Sequence, residues 1–228
     1  MRSKHLRDDP ELYGVLSEAA QKRLLPRRGL SAVCRACEQA WDVHLYQTRE
    51  TGDPYIVHPD AVVRKLVLDM HVYDVVVIVD AYLHDGAEDQ LHRIMPLYRF
   101  SRNVAVYLLR RKYGRYGPEV IADLQILTKP PAPEGATREE KDRIKVDYLL
   151  KLAIEGSWRA LIVKLADRWH NIVTLHARSR GSQIREAQMT LEVFPLLVEA
   201  LLERAPMQYH AAIRELWEEI QRLCQSYL

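Results

Sequence analysis

His84-Asp85 is followed three residues later by Glu88-Asp89, so two metal-ligand types and two further acids share about a turn and a half of one helix. Two more candidates lie far off in the chain: His58, within Pro54-Tyr55-Ile56-Val57-His58-Pro59, and Asp167, within Lys164-Leu165-Ala166-Asp167-Arg168-Trp169-His170-Asn171. Divalent metals such as Mn²⁺, Fe²⁺, Co²⁺ or Zn²⁺ accept imidazole nitrogen together with carboxylate oxygen. Two histidines with two aspartates leave coordination positions open for water and a phosphate oxygen. A water held there loses its proton near neutral pH, and adjacent acids such as Glu88 and Asp89 can orient it or carry protons. Alone, His84 reads as a core histidine bonded to a backbone carbonyl and Asp167 as part of a solvated helix face; with all four segments present, the ligand reading outweighs both.

The elements that must position these residues are helices. Apolar residues recur at three- and four-residue spacing over Pro10 to Leu25 and Leu30 to Tyr46, with Pro26 and Gly29 between them. Thr48 to Val57 is a loop that delivers His58 to a helix start, where Pro59 suits the first turn. Helical patterns continue over Ala61 to Met70, Asp74 to Asp85, Gln90 to Tyr98, Arg102 to Lys112 and Pro118 to Leu127. Three prolines and a glycine make Lys129 to Gly135 a loop, and Thr137-Arg138-Glu139-Glu140 is a capping box opening a helix to Ile154. Ser157 to His176, Gln183 to Leu202 and Pro206 to Tyr227 complete an all-α array without repeats or dividing linkers, read as one domain over 1–228. In the helix bearing Asp167, Leu161, Leu165, Trp169 and Ile172 form an apolar stripe, while Lys164, Asp167, Arg168 and Asn171 share a polar face.

Gly52-Asp53-Pro54-Tyr55-Ile56-Val57-His58-Pro59, Tyr82 to Asp89 and Val163 to Asn171, in that order, resemble the three signatures of the HD hydrolase domain of RelA/SpoT enzymes and of stand-alone small alarmone hydrolases. The resemblance spans residues 30 to 200 or so. It implies an all-α HD-superfamily fold with a mononuclear site, and Mn²⁺-dependent removal of the 3′-pyrophosphate from (p)ppGpp to give GDP or GTP. Carried over residue by residue, it implies His58, His84, Asp85 and Asp167 as metal ligands and Glu88 and Asp89 as the acids at the attacking water. It also implies Arg49 against the purine, Thr174 near base or ribose, Asn171 on the nucleotide and Tyr55 shaping the pocket. The cations Lys129, Lys141 and Lys145, with Arg138 and Arg143 nearby, are candidates for the pyrophosphate; two-residue spacing keeps Lys141, Arg143 and Lys145 from all facing one site.

The chain departs from that pattern in four places. Glu50 stands where many members have lysine, an unfavourable charge beside an anionic nucleotide. Gly86-Ala87 replaces a bulkier apolar pair, Trp169 stands where leucine is common, and Gln90 replaces a frequent threonine, with an effect expected on the following cap. An insertion of about ten residues carries Arg99, Arg102, Arg110, Arg111, Lys112 and Arg115 among Tyr98, Tyr107, Tyr113 and Tyr116. Arginine among aromatics is either a surface for phosphates and stacked bases or a solvated cationic helix end. The first option extends the substrate towards a pyrophosphorylated tRNA 3′ end, as for hydrolases that act as antitoxins. The motifs are also compatible with a ppApp-type nucleotide as substrate, with a non-catalytic HD regulatory module, and with a homo-oligomer.

Composition sets the outer limits. At 228 residues, with 28% charged residues and a net charge of +2, the chain can bury a sizeable core and lacks the overall basicity of a bulk nucleic-acid binder. No apolar run reaches the length of a membrane span, and the start of the chain lacks a signal-peptide pattern, which points to the cytoplasm. Three cysteines argue against a disulfide framework; Cys34 and Cys37, three apart on one helix face, read as core packing rather than a redox or zinc pair.

Overall fold

The computed structural model describes the backbone at residues 5–98 and 102–228 and, within these, all side chains except Arg27 and residues 90–106. Among the described residues ten α-helices follow one another: α1 (Pro10–Gln21), α2 (Arg27–His44), α3 (Val57–Arg64), α4 (Val75–Tyr98), α5 (Arg102–Tyr113), α6 (Pro118–Leu127), α7 (Arg138–Glu155), α8 (Trp158–Val173), α9 (Arg180–Arg204) and α10 (His210–Gln225). No strand forms among the described residues. The one β-type contact there is an isolated bridge between Thr48 and Pro54.

Local signals start α1, α7 and α8 where the sequence places them, whereas α2 and α9 begin three residues earlier than expected, which puts Gly29 inside α2. Asp9 caps α1 by accepting from Leu12 N, with Pro10 in the first turn. Thr137 and Glu140 form the expected capping box on α7. Ser157 caps α8 through Ala160 N, while its hydroxyl donates to Asp123 of α6.

The expected helices 74–85 and 90–98 are instead one continuous helix, α4. Gly86 does not interrupt it; a Cβ there would lie 3.2 Å from Val43 Cγ1, so glycine lets α2 pack closely on α4. The expected helix over 61–70 begins earlier, at Val57, and its last five residues, Lys65–Asp69, form a π-helical turn.

Helices α4 and α8 form the centre. α4 packs on α2, α3, α6 and α8, and α8 packs on α3, α4, α6, α9 and α10. The polar face of α8 is not solvated: Asp167, Arg168 and His170 are buried along with the apolar stripe, and Trp169 is half-buried. Trp169 donates to Glu219 of α10 at 2.7 Å under the Lys65 ammonium, 4.6 Å from the ring centre, so its bulk serves helix packing.

Burial raises the Cys37 thiol to about 12 and that of Cys224 to about 11. These are packed, unreactive thiols. Tyr113 is buried and Tyr116 donates to Gln39, so two rings of the Arg/Tyr-rich stretch pack inward instead of offering faces to bases. Arg110, Arg111 and Arg115 are exposed; the Arg99 and Arg102 side chains fall outside the described residues, and the cap expected after Gln90 does not form, because Gln90 lies within the continuous α4. No helix among the described residues is long and apolar enough to cross a membrane.

Candidate metal centre

Three helices bring four ligand-type side chains to one point. α3 opens at Val57 and carries His58 in its first turn, α4 carries His84 and Asp85, and α8 carries Asp167. One ligand atom from each of His58, His84 and Asp167 lies within 4.8 Å of the others, and all three residues are buried. Asp85 closes the group, with Oδ2 3.2 Å from His58 Nε2 and Oδ1 3.3 Å from His84 Nε2.

The imidazoles are aimed. His84 Nδ1 sits 2.9 Å from the Ala81 carbonyl, which fixes the proton on Nδ1 and leaves the Nε2 lone pair facing the cluster. That buried Nε2 has no hydrogen-bond partner. His58 Nδ1 lies 2.8 Å from His170 Nδ1, while its Nε2 faces Asp167 Oδ1 at 3.1 Å. A buried, unpartnered nitrogen beside two carboxylates costs free energy unless a cation or proton fills the gap. An N₂O₂ donor set fits a borderline divalent metal, so this cluster is compatible with one.

Neighbouring residues hold the carboxylates. Asp167 receives the Lys164 ammonium at 2.8 Å and the Asn171 amide at 2.5 Å; Tyr55 donates to Asp85 Oδ2 at 2.9 Å. Burial alone would raise the Asp85 carboxyl, but His84 and His58 outweigh it and hold it well below the ordinary range. Burial would lower His84; the Asp85 and Asp167 charges reverse that and lift it to about 9. The field that retains this proton is the one that would attract a metal ion in its place.

A cavity of about 120 Å³ adjoins the cluster, lined by Glu88, Lys129, Lys145, Lys164, Arg168 and Asn171 among others. Larger hollows occur near the chain start, against His5 to Pro10, and none of His58, His84, Asp85 and Asp167 lines them. Glu88 accepts the Lys129 backbone N–H at 3.2 Å. Lys145 and Arg168 share the Glu186 carboxylate, Lys145 at 2.6 Å and Arg168 at 2.9 Å. Burial, with Arg168 nearby, brings Lys145 down to about 8 against the pull of Glu186; Glu186, which burial would raise, is held at about 2 by Arg168 and Lys145.

The remaining expected residues divide. Arg49 donates to Asn171 at 3.0 Å and Thr174 at 3.2 Å, and its guanidinium lies 5.7 Å from the Tyr55 ring centre; these four adjoin one another beside the His/Asp cluster. Asp89, next to Glu88, does not line the cavity and instead accepts from Gln47 at 2.7 Å. Lys141 and Arg143 are exposed and away from the lining, as their spacing allows. Glu50 is ion-paired with Arg178, so its charge is compensated locally rather than presented bare to an anion. His44, Gln47, His170 and Glu186 are additions of the structure; His170 alone lay inside a motif, without a role.

Comparison with known proteins agrees with this geometry. The HD-domain family profile matches residues 36–201. The chain belongs to the HD-domain family. It is 33% identical over 184 residues to a Mycobacterium leprae protein named a probable GTP pyrophosphokinase, covering 80% of this chain and 21% of that one. It is 30% identical over 169 residues to a Synechocystis protein named a probable guanosine-3′,5′-bis(diphosphate) 3′-pyrophosphohydrolase, covering 74% and 20%. The chain thus spans about a fifth of the length of these curated relatives. Among solved structures, a metazoan ortholog of SpoT, described as hydrolysing ppGpp and playing a role in starvation responses, superposes with a TM-score of 0.55 at 21% identity over 82% of this chain and 94% of that one. At that identity the likeness establishes the shared fold.

Proposed function

We propose that this chain is a metal-dependent hydrolase that removes the 3′-pyrophosphate of guanosine alarmones, (p)ppGpp, to give GDP or GTP and pyrophosphate. The observation that carries this reading is the convergence of His58, His84, Asp85 and Asp167, with His84 Nε2 unpartnered, at a cavity walled by cations. A relative named as a 3′-pyrophosphohydrolase supports the reaction type. These four residues would hold the metal, and Mn²⁺ is the ion proposed; bound there, it would acidify a water and polarise the phosphoryl oxygen.

The water oxygen attacks the phosphorus on the 3′ oxygen, that P–O bond breaks, and the departing 3′ oxygen takes up a proton. Glu88 borders the cavity and is the nearer acid for receiving the water proton, with Asp89 behind it. Lys129, Lys145 and Arg168 meet the pyrophosphate charge. Arg49, Tyr55, Asn171 and Thr174 hold the nucleoside end, where the planar guanidinium of Arg49 can stack on a base. A cytosolic location suits a soluble nucleotide substrate.

The test is chromatography of products from ppGpp, ppApp and pyrophosphorylated tRNA with Mn²⁺, Mg²⁺ or Zn²⁺, and after chelation. The expected result is GDP and pyrophosphate from ppGpp with metal only, and a loss of roughly a hundredfold in Glu88→Gln with metal retained. Preferred cleavage of ppApp or of the tRNA would make that molecule the substrate instead. Metal-independent turnover would sink the mechanism.

A further inference from the structure

The chain Asp89–Gln47–His44 is a set of contacts that the ligand motifs do not contain. Asp89 Oδ2 accepts from Gln47 Nε2 at 2.7 Å, and Gln47 Oε1 pairs with His44 Nδ1. The polarity is fixed by chemistry. An ionised carboxylate only accepts, so the amide nitrogen must face Asp89, its oxygen must face His44, and His44 must carry its proton on Nδ1. His44 is 1% exposed, and its Nε2, buried without a partner, faces Gly86, where an added Cβ would stand 3.6 Å away. The imidazole is therefore wedged between α2 and α4 as a neutral ring, and burial lowers its pKa accordingly.

The same two residues govern a loop. The His44 ring stacks on Tyr55, centroids 4.7 Å apart at 22°. The Gln47 carbonyl accepts from Tyr55 N at 2.9 Å, and the Thr48–Pro54 bridge and the Arg49–Gly52 turn close the loop, with Gly52 at φ +87°. One end of the loop presents Arg49 to Asn171 and Thr174; the other presents the Tyr55 hydroxyl to Asp85. Gln47 is the point where both ends meet α4.

We propose that His44 and Gln47 are positioning residues: by gripping Asp89 and stacking on Tyr55 they fix the 47–55 loop, and with it Arg49, over the metal cluster, so that they set affinity for the nucleoside diphosphate end of the substrate. This deepens the hydrolase reading and rests on it for the ligand class. A hydrogen bond to a charged acceptor, lost from such an anchor, corresponds to roughly tenfold or more in affinity.

The experiment uses the full chain with GDP as the binding probe, amide hydrogen exchange over residues 48–56 as a structural readout, and circular dichroism as a fold check. Gln47→Leu should weaken GDP by about tenfold and speed exchange in the loop, with Mn²⁺ affinity within about threefold of the parent. His44→Phe keeps the stack and removes the Nδ1–H, so it should shift both readouts in the same direction by less. Gln47→Glu places two carboxylates together and should be worse than Gln47→Leu. Adding Asp89→Asn to Gln47→Glu recreates the bond with donor and acceptor exchanged, and should restore loop protection and GDP affinity. A simple packing role would not produce that rescue. Unchanged exchange in Gln47→Leu, or no recovery in the exchanged pair, overturns the anchor. Failure of the parent protein to bind GDP would instead sink the hydrolase reading, with the exchange data still deciding the anchor.

Discussion

Asp80 and Asp85 lie five residues apart on α4 and meet opposite fates. Both are carboxyls withdrawn from bulk water. Asp80 is fully buried, neither of its oxygens has a donor, and burial with the neighbouring Asp123 carboxylate pushes it well above the ordinary range. For Asp85, whose side chain is 20% exposed, two imidazoles outweigh the cost of burial, and it stays ionised. Burial therefore does not decide the charge of an acid; what faces it does. Asp80 faces another acid and Asp85 faces two histidines, so the first is protonated core and the second is a charged member of the candidate metal centre.

Removing the Asp85 carboxylate erases the contrast most severely. Asp85→Asn should lose metal, measured by metal content after dialysis, and lower turnover by roughly a thousandfold or more because water is no longer acidified. Retained metal and turnover would dissolve the distinction between the two aspartates. Next in size, Lys164→Met takes from Asp167 its cationic partner and makes it more like Asp80. Metal affinity should fall by about tenfold to a hundredfold, read by titration with Mn²⁺, and an unchanged affinity would show that the histidines alone suffice.

The acid in the core should respond in the opposite sense. A folded-state pKa raised above the unfolded value gives stability that is complete below the ordinary carboxylate range and is lost as pH rises towards the raised value. Asp80→Asn should therefore stabilise the protein at pH 8 by about 1–3 kcal/mol, with the gain shrinking to nothing in acid. Asp85 in the metal-free protein, with its pKa depressed, contributes stability that is lost as pH falls. Thermal denaturation against pH checks both slopes, and parallel slopes for the two variants would contradict the assignment. Smallest of all, Asp123→Asn keeps an oxygen for Ser157 and removes the charge beside Asp80, so a gain within about 1 kcal/mol is expected at neutral pH; a loss would mean that Asp123 stabilises its neighbour.

The helices and the residues that converge at the candidate site were legible in the sequence because each rests on local pattern: caps at Asp9, Thr137 and Ser157, and motifs whose residue types are those that can donate to a metal. The HD family match and the clustering of His58, His84 and Asp167 agree with that reading. The continuity of α4 was hidden because the apolar pattern stops at the acidic Asp85 to Asp89 stretch, while Gly86 is a packing contact with Val43 that shows only in the fold. The Glu50–Arg178 and Lys145–Glu186 pairs join residues 128 and 41 positions apart, and no local spacing encodes such partners. Gln47 had a weak signal only: a polar residue between a helix end and a charged loop is ordinary until Asp89 is seen opposite it.

The cavity beside the His/Asp cluster has one more consequence. Its volume of about 120 Å³ falls well short of the roughly 300–1,000 Å³ of pockets that engulf a drug-sized ligand. Under the proposed hydrolase function, the substrate enters by its pyrophosphate tip and leaves its body outside. Turnover is then governed by the interior and choice of cargo by the doorway, so the same furnace can be fitted with different mouths by changing residues such as Arg49, Glu50 and Arg178 without touching a single ligand.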